Sequence, residues 1–175
     1  SNCNFTNNKA TGDYSHGGAV YFVNEGTVTN CNFTDNKAYY GGAIYFTDSG
    51  TTHEVRNCNF TKNQASLNGG AVYFEVDGTV TNCNFTGNTA NPMGGAIYFD
   101  EYGTVTNCNF ANNNATATNS LGGAIMFVSD GTVTNCNFTG NTASGDGGAI
   151  NMGSGTVSNC NFTGNNATTG SAIYF

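Results

Sequence analysis

The sequence has no tryptophan, one proline among 175 residues and only four basic side chains. Each scarcity closes off a class of protein. With four Lys and Arg against eleven Asp and Glu, for a formal charge of −7, there is no cationic stripe to neutralise nucleic-acid phosphates or dock on anionic lipid. No run approaches the ~20 consecutive apolar residues that a spanning helix needs, so no membrane insertion is expected. Nor does a basic segment lead into an apolar one, as in a secretory leader. The chain opens on Ser1, which points to a processed chain or an excerpt from a longer one. Charged residues are 9% of the whole, too few for a helical bundle with a solvated face. Abundant instead are glycine, at 25 residues, and Asn, Thr, β-branched and aromatic side chains, which favour strands and tight turns.

The thirteen residues from Gly78 to Ala90, G-T-V-T-N-C-N-F-T-G-N-T-A, return unchanged from Gly131 to Ala143. Cys3, Cys31, Cys58, Cys83, Cys108, Cys136 and Cys160 recur every 24 to 28 residues, and N-C-N-F-x-x-N-x-A holds around all seven. After a gap of variable length, read as a surface loop, a second block follows: Gly17 to Phe22, Gly41 to Phe46, Gly69 to Phe74, Gly94 to Phe99, Gly122 to Phe127, Gly147 to Met152 and Gly170 to Phe175. Two or three short extended segments per unit predict an all-β fold, a parallel β-helix (β-solenoid) of seven coils of about 24–28 residues. The array fills residues 1–175 and is uncapped at both ends, as expected of a segment of a longer chain or of a filament subunit that adds end to end.

Strand alternation assigns the faces. Cysteine and the Phe two residues later point inward, and all thirteen Phe fall in core slots, with Met152 filling the remaining one. Asn30 and its equivalents before each cysteine suit a left-handed bend. Asn36 and its equivalents five residues after each cysteine are placed to hydrogen-bond from coil to coil. The seven cysteines predict a ladder of buried free thiols, since parallel in-register side chains do not point at one another; zinc and nucleophilic roles do not suit seven copies of one slot.

Between Ile or Val and Phe in the second block lie Tyr21, Tyr45, Tyr73, Tyr98, Met126, Asn151 and Tyr174, expected on the solvent side, with Asn151 as the argument. The tyrosines are a candidate contact surface for sugar rings or another solenoid's flank; the alternative is that loop residues cover them. Asn4, Asn32, Asn59, Asn84, Asn137 and Asn161 each open an N-F-T triplet that matches the N-glycosylation acceptor pattern, and Asn114 and Asn166 match it as N-A-T in the adjacent loop.

Departures from the repeat are few. An insertion from Thr51 to Arg56 brings His53, Glu54 and Arg56 near Asp48, read as a solvated bulge. Glu25, Asp77, Glu101 and Asp130 fall near one turn of successive coils; calcium would suit such a row, but solubilising turns are the simpler reading. They do not pair as glycoside hydrolysis requires. His16 has no assigned role. Thr27-Val28-Thr29 and its equivalents form a faint version of an ice-binding plate, broken at Arg56 and altered at Ser158. No catalytic residue, metal or cofactor is expected.

The pairing of G-G-A-I, as in Gly94 to Ile97, with F-x-x-N, as in Phe85 to Asn88, resembles the repeat of chlamydial polymorphic outer-membrane proteins and of adhesin-like surface proteins of methanogenic archaea. The resemblance covers the whole chain, although Ser171 replaces the second glycine in the last copy. It implies a right-handed β-helix, extracellular or at the cell surface, used for adhesion or envelope structure. Expected partners are further copies of itself and, beyond them, surface glycans or receptors on a partner cell. The alternative is a carbohydrate-binding or polysaccharide-degrading β-helix.

Overall fold

The computed structural model describes residues 1–47 and 53–175. No helix occurs among them; short parallel strands wind into a right-handed solenoid of about seven turns. A full coil has four strands where two or three were expected. In the coil around Cys83 they are Gly78–Thr81, Asn84–Thr86, Thr89–Ala90 and Ile97–Phe99. The additional ones are short: a two-residue strand such as Thr89–Ala90 carries too little alternation to be seen in sequence.

Like pairs with like from coil to coil. Six N-F-T strands and one N-F-A strand (Asn109–Ala111), from Asn4–Thr6 to Asn161–Thr163, form one sheet in which Asn4 pairs with Asn32 and Phe5 with Phe33, and so on up the stack. The two-residue strands, Lys37–Ala38 to Thr142–Ala143, make a second sheet. The I-Y-F and T-V-T strands join in a third, because the chain stays extended through the turn between them in Ile125–Thr134 and Ile150–Ser158.

Three left-handed corners turn each coil. The Asn before each cysteine takes φ between 52 and 58° in all seven copies, Asn30 at 56° among them. The residue before each ladder asparagine does the same, whether Asp35 (55°), Lys62 (55°) or Gly87 (64°), as does the first glycine of each G-G pair. The second glycine answers to a different demand. A Cβ on Gly123 would lie 2.1 Å from the carbonyl oxygen of Gly148 and 2.6 Å from backbone of Thr142. Backbone meets backbone there, which only glycine allows.

Inside, the phenylalanines stack in two columns. In the first, successive rings from Phe5 to Phe162 are 4.7–4.9 Å apart and within 6° of parallel; the second runs from Phe22 to Phe127, with Met152 buried beyond it. Nine phenylalanines are fully buried and Phe5, Phe22 and Phe162 partly so, but Phe175 is 61% exposed, so one of the thirteen lies outside the core.

A column of asparagines, Asn8 through Asn165, runs beside the first phenylalanine column. Asn88 shows the pattern: its Nδ2 donates to Asn113 Oδ1 and to the carbonyl of Phe60, both at 3.0 Å. Its Oδ1 accepts from the backbone N–H and the Nδ2 of Asn63, at 2.9 and 3.0 Å. F-x-x-N is therefore one device: the ring stacks, and the amide bonds the carbonyl of the ring below.

Candidate functional site

The cysteine column is internal. Cys31, Cys58, Cys83, Cys108 and Cys136 are buried, Cys160 is half-buried and Cys3 is exposed; all seven are free thiols. Each Sγ from Cys31 upward accepts the backbone N–H of the cysteine one coil below at 3.4 Å, and each thiol faces the carbonyl two residues earlier, as Cys83 does that of Thr81 at 3.2 Å. Burial pushes the Cys160 thiol up, and hydrogen bonding to the neighbouring thiol, with burial, does so for Cys58 and Cys108, while the same thiol–thiol hydrogen bonds hold Cys83 and Cys136 down. The column is structural.

The tyrosine column corrects the expectation of a solvent-facing stripe. Tyr45, Tyr73 and Tyr98 are buried, as are Met126 and Asn151; Tyr21 and Tyr174, in the first and last coils, are exposed. Tyr40, Met93 and Leu121 from the variable loops lie over the interior positions. Alternation placed these side chains correctly outside the Phe core, but a second small core forms over them. Tyr45 stacks on Tyr73 and Tyr73 on Tyr98, each pair at 4.7 Å. Burial, assisted by Asp100, pushes the Tyr98 phenol up to about 12, and Tyr45 and Tyr73 are also raised, by burial above all. His16 belongs to the edge of this cluster, 4.4 Å from Tyr45 and 5.4 Å from Tyr40.

Of the segment read as an insertion, His53–Arg56 form a strand. His53–Arg56 replaces G-T-V-T, with His53 in register with Gly78 and Val55 with Val80. His53 is buried, stacks on Phe46 at 4.9 Å, and its Nδ1 accepts the Gly26 N–H at 3.2 Å. Glu54 pairs with Arg56 at 3.0 Å. Asp48, Ser49, Gly50, Thr51 and Thr52 lie outside the described residues. The imidazole is thus turned into the core, away from the two charged side chains.

Of the row of acidic turns, Glu25, Asp77, Glu101 and Asp130 are all exposed. Asp77 accepts the Tyr102 N–H at 3.1 Å and Asp130 takes the Ser154 hydroxyl. Among the described residues no three His, Cys, Asp or Glu side chains cluster as a metal site would require. The Thr27 column meets Glu54, and Thr29 meets Arg56, so the threonine face is interrupted in the third coil.

The N-F-T asparagines form a second ladder, on the surface, which sequence reasoning did not anticipate. Nδ2 of each donates to Oδ1 of the one below at 2.8–2.9 Å, from Asn32 on Asn4 to Asn161 on Asn137, Asn59, Asn84 and Asn109 included. The nitrogen that would carry a glycan is therefore engaged in every coil above the first. Asn114 and Asn166 lie on a different face, two coils apart in one column with Thr142 between them.

That face, the sheet of two-residue strands, carries two grooves. One, of about 410 Å³, is lined by Asn114, Thr116, Thr142, Ser144, Asn166 and Thr168 around small alanines. The other, of about 400 Å³, lies between the first three coils and is lined by Lys9, Thr11, Ser15, Lys37, Tyr39 and Ser66 among others. The signal was present in the x of N-x-A, which reads Lys, Lys, Gln, Thr, Asn, Thr, Asn along the chain.

The description "right handed beta helix region" matches residues 42–175, all but the first coil and a half. The chain belongs to the right-handed β-helix family. A second description, the repeat of the Chlamydia polymorphic membrane protein, matches residues 2–23 and 30–47. Those are the first two coils; the resemblance read over the whole chain, from G-G-A-I at Gly94 to Ile97 and F-x-x-N at Phe85 to Asn88, is matched by this repeat only within the first 47 residues. No curated protein and no solved structure matches the chain.

Proposed function

We propose that this β-helix is a non-enzymatic extracellular structural protein, a segment of an adhesin-like stalk or a self-assembling fibre on the cell surface. The observation that carries the reading is the register: equivalent positions of the repeat pair from coil to coil on every sheet, with one irregularity between Phe127 and Asp130. Inward amides and thiols are engaged in bonds between coils, which makes a rigid rod and leaves variation to the outer face. The polymorphic-membrane-protein repeat in the first two coils supports the surface setting. The burial of His53 and the pairing of Glu54 with Arg56 support a non-catalytic role for the one mixed-charge cluster.

Immunogold labelling of intact and permeabilised producing cells, with negative-stain microscopy of the shed material, tests this. Gold on intact cells and thin unbranched rods or fibres are the expected result. Label confined to the interior of permeabilised cells would overturn the surface reading, and discrete globular particles would overturn the fibre.

A further inference from the structure

The four basic residues of this acidic chain are unevenly placed: all lie within the first 62 residues. Arg56 is neutralised by Glu54. Lys9 and Lys37, both exposed, are bridge partners on neighbouring coils, and among the described residues no carboxylate pairs with either. Like charges directly opposite on adjacent strands destabilise a sheet. Above them the same column is neutral, running Gln64, Thr89, Asn114, Thr142 and Asn166.

The lysine pair borders a groove that also presents Tyr39 and the hydroxyls of Thr11 and Ser66. Tyr39 is held in place. The Ser15 hydroxyl donates to the carbonyl of Ala10 at 3.1 Å and accepts the Tyr39 N–H at 3.2 Å. The Tyr39 ring lies 5.0 Å from Tyr40 and meets Tyr14 edge-on at 5.2 Å. Tyr14 itself is 65% exposed at a φ of 58°, a conformation that costs an aromatic residue energy. An ordered ring, a pair of unneutralised cations and hydroxyls thus line one open trough.

We propose that this groove binds an acidic saccharide, a uronate-containing oligosaccharide whose carboxylate lies between the Lys9 and Lys37 ammonium groups and whose pyranose ring rests on Tyr39. Two ammonium groups supply charge-assisted hydrogen bonds to a carboxylate. The aromatic face takes the apolar side of a sugar ring, and the hydroxyls exchange hydrogen bonds with its rim. The groove at the other end of the same face, around Asn114 and Thr142, has nearly the same volume but neither lysine nor aromatic ring in its lining, and it does not share this specificity. The proposal takes surface display as its setting, but the site stands on its own geometry.

The test is calorimetric titration of the isolated chain with tetragalacturonate, with its carboxyl-reduced neutral analogue, and with a hexaglutamate peptide. Tetragalacturonate is expected to bind, and to bind more weakly as salt is raised. Lys9→Gln with Lys37→Gln should weaken it by about ten-fold or more, and Tyr39→Leu by about five-fold or more, with circular dichroism verifying the fold. Lys62→Gln, outside the groove, should leave it unchanged. Absence of binding, equal affinity for the neutral analogue, equal affinity for the peptide, or indifference to the double lysine variant would each overturn the proposal. Because the titration is done in solution, its failure leaves the surface reading intact, and interior-only labelling of cells leaves the groove intact.

Discussion

The two asparagine ladders are chemically alike and differ in burial, so truncating one rung of each separates the cost of stranding a polar group from the worth of a hydrogen bond. Asn88→Ala removes a fully buried side chain that makes four hydrogen bonds. The Asn113 Oδ1 keeps the backbone N–H of residue 88, and the Asn63 Nδ2 keeps the Phe33 carbonyl. Two donors are left without acceptors: the Asn63 backbone N–H and the second Asn63 Nδ2 proton. At ~1–3 kcal/mol for each stranded buried group, the variant should lose about 2–6 kcal/mol. Asn84→Ala breaks the surface ladder between Asn59 and Asn109, where water takes over both partners, and should cost less than about 1 kcal/mol. Asn88→Asp should be at least as harmful as Asn88→Ala, because a carboxylate sets an acceptor against the Phe60 carbonyl and the Asn113 Oδ1. Urea unfolding followed by circular dichroism gives the totals. Hydrogen exchange at the coils on either side locates the damage, since a linear array opens locally before it melts. Losses for Asn88→Ala and Asn84→Ala that agree within about 0.5 kcal/mol would refute the reasoning.

Gly123→Ala should destabilise by more than about 3 kcal/mol, because its Cβ would meet two backbone segments that cannot turn aside; a thermal melt close to that of the parent chain would contradict the close-approach argument. Tyr45, Tyr73 and Tyr98 hold their protons more tightly folded than unfolded, Tyr98 to about 12. Their contribution to stability is therefore whole below the unfolded value of about 10 and lost as pH rises beyond it. Absorbance at alkaline pH should show these three phenols ionising only as the fold is lost, and normal titration of all nine tyrosines in folded protein would sink that assignment. A thiol reagent should react at once with exposed Cys3, slowly with Cys160, and with the other five only on unfolding; fast labelling of more than two would mean that the column opens. In a glycosylating host, Asn4, Asn32, Asn59, Asn84, Asn137 and Asn161 should not all be occupied in folded material, since their amides interlock coil by coil; an intact mass with the whole row filled would refute this.

Much of the fold was legible because a repeat states each structural rule seven times. A position that is always Asn before an inward cysteine admits few readings, and the left-handed corner at Asn30 follows from it. The inward Asn36 column and the free thiols were legible for the same reason. What alternation cannot reveal is cover. It places Tyr73 outside the Phe core, but whether that outside is water depends on loops whose lengths vary and whose packing residues, Tyr40, Met93 and Leu121, share no motif. Counting misled at His53 for a related reason. The extra residues in that coil were assigned to the segment bearing charges, whereas pairing with Gly78–Thr81 puts His53–Arg56 in the strand. The candidate groove was harder still, since it depends on a varying letter inside a constant pattern.

That last point bears on where function can reside in such a molecule. In each coil the inward phenylalanine, cysteine and asparagine are committed to the coils above and below, the second glycine to a backbone contact, and the corners to left-handed conformations. Changing any of them disturbs three coils at once. The free positions are the exposed loop residues and the outward residues beside them, and there the first two coils depart from the rest: Tyr14 and Tyr39 lie on their loops, and Lys9 and Lys37 stand where Gln64, Thr89, Asn114 and Thr142 follow farther along the same column. A stack under no demand but rigidity would have no use for two opposed lysines or for an exposed tyrosine held in a left-handed conformation. The uniform coils supply the scaffold, and the irregular ones are where recognition should be sought.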